Sequence, residues 1–479
     1  MTETPTDSAT CFTFVDEGGE EERFTRAHVH AQARKLASQL EPQLAEGRSA
    51  VVVDLPNCPL FIETLLACAQ LGRPLVALNH RLSESEKALR LEQLQPCIAI
   101  GATIDLNWME RTEWAATSAL VSPDESNAFD WKPLDTLRSA DPDALALVMF
   151  TSGTSGIPKA AKLTWRQLLA SAEAANRSLQ CGPETRWQAA LPLYHIGGLQ
   201  VIVRSFLSET PFTLYRRWDA ARTLQDAQRF GATHISVVDK MLQDLIAADN
   251  EPTCNARALS AYRCILLGGA AVNEQTLTKA RKAHARVFAS FGMTETASQI
   301  ANCLVEESFD GGLTLLPNVE ARILDPDGQG RGILAVRGPA ITDGYLNAPA
   351  PRTEDGFFIT GDTACLNDGK LFVYERADDL FISGGENVYP AEVERSIKQI
   401  PGITDCYVFG IHDDVWGMRP AALVETALDP ARAEELVRER ARNQLTRFCQ
   451  PDRIVAVAAM PRSGIGKIDR AAARALVMR

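Results

Sequence analysis

The sequence predicts an α/β protein with a large N-terminal domain of parallel-rich sheets covered by helices, a small β-rich subdomain, and a small mobile α+β C-terminal domain. At 479 residues the chain is too long for one ordinary core, so two or three domains are expected. Its first third alternates short apolar strands with helices, as parallel sheets do. From Glu320 onward the strands are short and are separated by Gly, Pro and Asp. We place the domains at 1–375 and 376–479, with the β-rich subdomain at about 313–375.

Each element has its own local signal. Helices are predicted where apolar residues recur at helical spacing, at Arg26–Leu44, Leu60–Leu71, Glu84–Gln93, Trp165–Asn176, Pro390–Gln399 and Ala431–Leu445. Strands are predicted where short apolar or β-branched runs occur, at Ala50–Asp54, Pro74–Leu78, Cys97–Ile100, Ala144–Phe150, His234–Val238, Cys264–Leu267, Glu320–Leu324, Ile333–Val336, Leu371–Tyr374, Cys406–Gly410, Ala421–Glu425 and Arg453–Ala458.

Composition excludes several classes of function. The formal net charge of −12 disfavours non-specific binding to nucleic acid or to an anionic membrane. No apolar run approaches the roughly 20 residues of a membrane span, and the acidic first residues lack the apolar stretch of a signal peptide. The eleven cysteines are scattered without a CxxC pair, so we expect reduced thiols in the cytoplasm and no structural zinc. The sequence does not fix the oligomeric state, and a homodimer is compatible with it.

The strongest local signal is the segment 151–160, TSGTSGIPKA, directly after an apolar strand. Small residues let the backbone approach a ligand, and their hydroxyls and amides can donate to phosphate oxygens. Lys159 adds a mobile positive charge. This is not a Walker A loop, because Lys159 is followed by Ala160 and not by Ser or Thr. An ordinary polar turn is the alternative, which Pro158 and Lys159 after the glycines disfavour.

Two further segments suit a nucleotide. In Ser290–Glu295 (SFGMTE), a glycine beside an aromatic residue suits an adenine ring, Thr294 can donate to a phosphate, and Glu295 can hold Mg²⁺. In Ile359–Asp362 (ITGD), the carboxylate can accept both hydroxyls of a ribose. A solvated glutamate in a turn and an aspartate bonded to its own turn are the structural alternatives.

The last two segments lie at and beyond the predicted domain boundary. In 375–390, Arg376 can reach a ribose or a phosphate, and Asp378 stands where a hinge would be. In 461–470 (PRSGIGKIDR), Lys467 lies in a glycine-rich loop that can swing into a distant site. A solvated linker and a surface lysine are the alternatives.

These five segments, in this order, resemble the adenylate-forming superfamily of acyl-CoA synthetases, firefly luciferases and peptide-synthetase adenylation domains. The resemblance covers the chain from about Phe24 to Arg470. Within the superfamily the sequence is most similar to the o-succinylbenzoate–CoA ligases of menaquinone biosynthesis. The segments that carry this likeness are 191–198, 236–238, 266–269, 290–300 and 382–392.

The resemblance implies a role for each matching position. A phosphate loop is implied at Thr151, Ser152, Gly153, Thr154, Ser155, Gly156 and Lys159, and a nucleotide site at Gly268, Gly269, Ala270, Ser290, Phe291, Gly292, Asp362 and Arg376. Catalytic roles fall on Lys467, Thr294, Glu295 and Lys159, with Glu295 near the metal. The acyl pocket would be shaped by Tyr194 and His195, the hinge would be Asp378, and Gly384 and Gly385 would serve the coenzyme A step. The phosphate loop of the family usually ends in Lys-Gly, so Ala160 is a departure.

The implied activity is an ATP-dependent acid–thiol ligase that forms an acyl-adenylate, with ATP, Mg²⁺ and coenzyme A, acting on a small carboxylic acid. Arg204, six residues after Gly198, can pair with a second carboxylate, which o-succinylbenzoate has and a fatty acid lacks; the alternative is a surface arginine. Two other functions stay open: a CoA ligase for another aryl or short acyl acid, and a non-catalytic nucleotide-binding protein with this fold.

Overall fold

The structure, a computed structural model, describes residues 10–45, 49–82, 84–94, 97–101, 115–116, 137, 140–151, 158–251, 258–269, 274–376, 381–383, 386–388, 390–413, 416–462, 466 and 468–479. The chain forms two compact units. Unit 1 contains Met1–Ala321 and Val336–Phe358, and unit 2 contains Arg322–Ala335 and Ile359–Arg479.

The elements alternate along most of the chain. The α-helices of the described residues are Arg26–Ala45, Pro59–Leu71, Glu84–Leu91, Trp165–Ser178, Ile196–Ser208, Ala220–Phe230, Asp239–Asp249, Glu274–Lys282, Pro390–Lys398, Pro430–Gln444 and Arg470–Met478. The strands are β1 Thr10–Val15, β2 Glu21–Thr25, β3 Val51–Asp54, β4 Leu75–Ala77, β5 Ile98–Gly101, β6 Ala115–Ala116, β7 Leu145–Thr151, β8 Lys159–Thr164, β9 Trp187–Ala189, β10 Phe212–Tyr215, β11 His234–Val237, β12 Cys264–Leu267, β13 Val287–Met293, β14 Ser298–Leu304, β15 Thr314–Leu315, β16 Glu320–Leu324, β17 Gly332–Arg337, β18 Phe358–Asn367, β19 Lys370–Arg376, β20 Phe381–Ser383, β21 Glu386–Val388, β22 Ile403–Asp413, β23 Gly417–Thr426 and β24 Arg453–Val457.

Unit 1 is built on two sheets. The first has the order β15-β14-β13-β12-β11-β9-β10-β1-β2, and the second has the order β6-β5-β3-β4-β7-β8. Neighbouring strands from β13 through β12, β11, β9 and β10 to β1 are parallel, as are those from β6 to β7. Parallel strands gather their carboxyl ends at one edge, which is where ligands bind in such sheets.

The helix Trp165–Ser178 shows how local sequence sets an element in this unit. It begins after Thr164, whose hydroxyl accepts from the backbone N–H of Gln167, while the Gln167 side chain accepts from the backbone N–H of Thr164. This capping box stabilises the first turn of the helix. Trp165 is completely buried in the core, so the apolar face of the helix is fixed from its first residue.

Unit 2 holds most of a four-stranded sheet of order β16-β17-β18-β19 and a second sheet of order β21-β20-β23-β22, with β24 beside β23. The pair β22–β23 is antiparallel and long, from Ile403 opposite Thr426 to Asp413 opposite Gly417. The helices Pro390–Lys398 and Pro430–Gln444 bury Val393, Ile397 and Val437 in the same core as strand residues of this sheet.

The predicted mixed α/β class is confirmed, and the predicted helices and strands lie within a few residues of those in the structure. Among the described elements, the helix Arg470–Met478 and half of the strands were not predicted from the sequence; these strands are β1, β2, β6, β8, β9, β10, β13, β14, β15, β18, β20 and β21. The domain boundary at residue 376 stays a prediction; in the structure, most of the β-rich sheet belongs to the same compact unit as the C-terminal residues. Across the described helices, none combines the length and the hydropathy that a membrane crossing needs.

Candidate functional site

The carboxyl ends of β11, β12 and β13 bring three of the predicted nucleotide-binding positions together. The backbone N–H of Gly268 donates to the carbonyl of Val237 at 3.1 Å. The Ser290 hydroxyl donates to the carbonyl of Leu267 at 2.9 Å. A Cβ on Gly268 would lie 2.9 Å from this hydroxyl, and Gly269 has a φ of +89°. Two glycines therefore keep the backbone open beside Ser290, as a flat ligand requires.

Gly292 has a steric reason to be glycine. It lies opposite Gln299 where the β13–β14 register shifts, and a Cβ there would come within 2.0 Å of the Ser298 carbonyl oxygen. This close approach shapes the 3₁₀ turn Thr294–Thr296, which leads into Ala297 with a φ of +49°.

The same turn is held from two other elements. The Ser171 hydroxyl donates to the carbonyl of Ala297 at 2.7 Å. The backbone N–H of Thr342 donates to the carbonyl of Glu295 at 2.8 Å. Thr294 and Glu295, both half-buried, are thus presented by a backbone that is fixed on both sides.

Lys159 and Glu295, which lie far apart in sequence, meet at Tyr345. The Tyr345 hydroxyl donates to Glu295 Oε1 at 3.0 Å, and Lys159 Nζ lies 5.4 Å from the centre of the Tyr345 ring. Strand β8 aligns them, because Ala161 forms a bridge with Tyr345 and the backbone N–H of Lys162 donates to the carbonyl of Gly344. A flexible cation, a carboxylate and a phenol therefore share one location, which suits a metal-bound polyphosphate.

Ala160, the departure from the family pattern, is an ordinary strand residue. It pairs with Phe150 in the antiparallel β7–β8 ladder, is fully buried, and does not have a positive φ. Its methyl group packs in the core with Val148. A glycine is therefore not required at this position.

Tyr194 and His195 lie on a turn that a buried amide holds in place. Asn57 Oδ1 accepts from the backbone N–H of Leu193 at 2.9 Å, and its Nδ2 donates to the carbonyl of Leu191 at 3.0 Å. The Tyr194 ring packs against His195 and, edge-on, against His80, with centroid distances of 4.7 and 5.5 Å. Burial raises the pKa of Tyr194, and its hydroxyl has no hydrogen-bond partner within the described part of the chain.

Arg204 is a buried residue and not the surface arginine of the alternative interpretation. It lies on the helix that begins after His195, is 1% exposed, and stands over the Trp187 ring at 5.7 Å. Its Nη2 donates weakly to the Ser298 hydroxyl at 3.4 Å, while Nε and Nη1 have no hydrogen-bond partner among the residues described. Burial lowers its pKa to about 10. Leaving a buried guanidinium without a carboxylate is costly, so this residue suits an anionic ligand.

In unit 2, Asp362 and Arg376 face each other across the antiparallel pair β18–β19. Asp362 is 8% exposed, follows Gly361 with a φ of +77°, and donates its backbone N–H to the Thr360 hydroxyl at 3.0 Å. The backbone of β18 and β19 therefore brings these two predicted ribose-binding positions next to each other. The Arg376 side chain lies outside the described residues.

Several other predicted positions lie outside the described residues, and their roles stay predictions. They are Ser152, Gly153, Thr154, Ser155, Gly156, Ala270, Asp378, Gly384, Gly385 and Lys467.

The sequence analysis missed Tyr345 and Asn57. A glycine before a tyrosine in a turn, Gly344-Tyr345, is the only sequence signal for the first. Asn57 lies between a predicted strand and a predicted helix, a position that is typical of a loop asparagine. Neither residue type indicates its long-range partner.

Residues 2–346 match the AMP-binding enzyme family, and residues 392–467 match the C-terminal domain of AMP-binding enzymes. The chain belongs to this family, which confirms the resemblance to adenylate-forming enzymes.

Among individual relatives, the chain is 30% identical over 465 residues to a 2-succinylbenzoate–CoA ligase of Enterococcus faecalis, covering 94% of this chain and 93% of the relative. It also resembles o-succinylbenzoate coenzyme A synthetase of Bacillus subtilis. The structure of that enzyme with its acyl-adenylate intermediate has a TM-score of 0.80 at 28% identity, covering 96% of this chain and 94% of that one. Its structure with ATP and a magnesium ion has the same TM-score and identity and covers 96% of each chain.

Proposed function

We propose that this protein converts 2-succinylbenzoate, ATP and coenzyme A into 2-succinylbenzoyl-CoA, AMP and diphosphate through an acyl-adenylate. The observation that carries the choice of acid is Arg204, a buried guanidinium with two nitrogens unpaired among the described residues. A dicarboxylic acid can supply the missing carboxylate while its other carboxyl group reacts. The scattered cysteines favour a cytoplasmic enzyme.

The first half-reaction replaces a poor leaving group. A carboxylate oxygen attacks the α-phosphorus of ATP, an acyl–phosphate bond forms, and the bond to the bridging oxygen of diphosphate breaks. Negative charge grows on the phosphoryl oxygens, so groups aimed at them stabilise the transition state. Thr294 and Lys467 are proposed to act at the α-phosphate, and Lys159 with the loop after Thr151 at the departing diphosphate.

The Glu295 carboxylate fits a magnesium site, since Mg²⁺ prefers a few carboxylate oxygens together with substrate phosphates. Bound there, the ion would neutralise phosphate charge. Tyr345 holds this carboxylate through its 3.0 Å hydrogen bond and fixes its orientation.

The second half-reaction uses the thiol of coenzyme A. The sulfur attacks the adenylate carbonyl, the thioester bond forms, AMP leaves with the electron pair of the broken bond, and the thiol proton passes to solvent. Lys467 and the Gly384–Gly385 segment are proposed to serve different steps, with rotation about Asp378 exchanging them.

Acid-dependent diphosphate release tests the function. With 2-succinylbenzoate, benzoate and a medium-chain fatty acid as substrates, we expect release and thioester formation to be fastest with 2-succinylbenzoate. A clear preference for another acid would favour the alternative CoA ligase. ATP binding without acid-dependent release would identify a non-catalytic nucleotide-binding protein.

Replacing Arg204 tests the choice of acid directly. We expect Arg204→Gln to raise the KM for 2-succinylbenzoate by about 10- to 100-fold, because a charge-assisted hydrogen bond is lost. The KM for benzoate, which has one carboxylate, should not change. Arg177→Gln is the matched control, since Arg177 is an exposed arginine paired with Glu173 on its own helix, Trp165–Ser178. An unchanged KM for 2-succinylbenzoate in Arg204→Gln would remove Arg204 from the acyl pocket.

The proposed division of labour is tested with Lys467→Ala. This variant should lose adenylate formation by at least about 100-fold, as loss of one oxyanion donor does. It should still form the thioester from supplied acyl-adenylate. Stopped-flow or quenched measurements of each half-reaction decide this, and equal loss in both contradicts the assignment.

A further inference from the structure

The residues that flank the segment 463–467 pair with each other. Arg462 forms an antiparallel bridge with Ile468, and the backbone N–H of Asp469 donates to the carbonyl of Pro461 at 2.9 Å. Asp469 also caps the final helix by accepting from the backbone N–H of Ala472 at 3.0 Å. The residues on both sides of this segment are therefore held in place.

Arg462 connects this segment to the sheet. Its Nη1 donates to the carbonyl of Gly466 at 3.1 Å, and its Nη2 donates to Asp405 Oδ2 at 2.5 Å. The Nη2 also lies 3.6 Å from Glu425 Oε2. One planar guanidinium thus joins the peptide immediately before Lys467 to two carboxylates.

The two carboxylates stand on a rigid support. Asp405 and Glu425 are opposite each other in the antiparallel pair β22–β23. Asp405 Oδ1 lies 2.8 Å from Lys398 Nζ, and the Asp405 side chain is 14% exposed. Burial alone would raise the pKa of Asp405, but Lys398 and Arg462 hold it below its ordinary value. The carboxylate is therefore a fixed anion that can anchor Arg462.

Glu425 forms a further hydrogen bond next to the same segment. Its Oε2 accepts from the backbone N–H of Met460 at 2.7 Å, just before the segment begins. Asp405, Glu425 and Arg462 therefore link the strands β22 and β23 to Met460 and Gly466.

We propose that Arg462 is a positioning residue for adenylate formation, which acts by holding the Gly466 carbonyl, one residue before Lys467. The inference rests on the proposed role of Lys467 in the first half-reaction. The planar fork of arginine can serve the carbonyl and Asp405 at once, whereas a lysine is a single point charge. Its effect belongs to one half-reaction, because Lys467 is needed only there.

The test measures both half-reactions in Arg462→Gln. We expect the kcat of adenylate formation to fall about 10- to 100-fold, the cost of misplacing a catalytic group by about 1 Å. The KM for ATP and the rate of thioester formation from supplied acyl-adenylate should be unchanged. Arg432→Gln is the control, since Arg432 forms an exposed ion pair with Glu435 in the same unit.

Two further variants distinguish a positioning role from a simple folding defect. Arg462→Lys keeps the charge beside Asp405, so it should fold and show the same split with a smaller fall. Asp405→Asn should shift adenylate formation in the same direction. An equal fall in both half-reactions, or a lowered Tm with unchanged kcat, overturns the proposal. If the unaltered protein forms no adenylate, the proposed function itself fails, which is a distinct outcome.

Discussion

Tyr345 links two charged residues that the sequence singles out separately, Lys159 and Glu295. Tyr345→Phe keeps the ring beside Lys159 but removes the hydrogen bond to Glu295. We expect the Mg²⁺ concentration for half-maximal diphosphate release to rise about tenfold or more, as happens when the partner of a metal ligand is lost. Tyr407→Phe, whose hydroxyl accepts from Arg474 in unit 2, is the control. Coincident Mg²⁺ titrations of Tyr345→Phe and the unaltered protein would contradict this role.

At the residue scale, chemical type and motif position were enough to single out Lys159, Glu295 and Asp362 as candidates, and the structure places Lys159 and Glu295 at one tyrosine. Each is a charged residue close to a glycine in the sequence, and near such a turn a polar side chain can bond either with a ligand or with the turn itself. The contacts of Tyr345 and Asn57 were not predictable, because their partners lie 50 and more than 130 residues away. The burial of Arg204 also depends on packing against Trp187, which helical spacing alone does not fix.

At the element scale, the turn that follows β13 depends on Gly292. In Gly292→Ala the new Cβ would lie 2.0 Å from the Ser298 carbonyl oxygen, so the strand pair must separate there. We expect the free energy of unfolding to fall by about 1–3 kcal/mol, the usual cost of overpacking, together with weaker ATP binding. Chemical denaturation and nucleotide titration measure the two effects. Gly182→Ala is the control, since a Cβ at Gly182 meets no atom within 4 Å; equal stability of the two variants would contradict the steric argument.

Individual elements were more predictable than their pairings. Cys264–Leu267 is an apolar run between turn residues, and the structure has a strand at the same residues. The pairing of β1 with β10 joins residues about 200 positions apart, and no local pattern encodes that. Strand β8 (KAAKLT) was missed because its alanines and lysines are poor strand formers, and its pairing with β7 and Tyr345 overrides that preference.

At the scale of the whole molecule, unit 1 contains two buried histidines with a lowered pKa and one carboxyl, Glu63, whose pKa burial raises to about 7, whereas unit 2 contains one buried carboxyl with a raised pKa. In unit 1, burial lowers the pKa of His30 and His234 to about 4. Both stay neutral in the fold but take up protons on unfolding below about pH 6.5, so their contribution to the stability of unit 1 falls as the pH falls from about 6.5 to about 4. Glu63 acts in the opposite direction, but the two histidines outweigh this single carboxyl. In unit 2, burial raises the pKa of Glu394 to about 7, although Lys398 acts against this. Glu394 then holds a proton that the unfolded chain releases above about pH 4.5, so unit 2 loses stability as the pH rises from about 4.5 to about 7.

We therefore expect the unfolding midpoints of the two units to move in opposite directions with pH. Urea titrations at pH 5 and pH 7.5 test this, with Trp416 in unit 2 as the probe and Trp416→Phe reporting unit 1 alone. The midpoint of unit 2 should be higher at pH 5, and the midpoint of unit 1 higher at pH 7.5. Glu394→Gln can still accept the Val408 N–H that Glu394 binds at 2.8 Å, so it should remove most of the pH dependence of unit 2 and leave that of unit 1. Parallel shifts of both midpoints, or an unchanged slope in Glu394→Gln, would show that these groups do not govern the stability of their units.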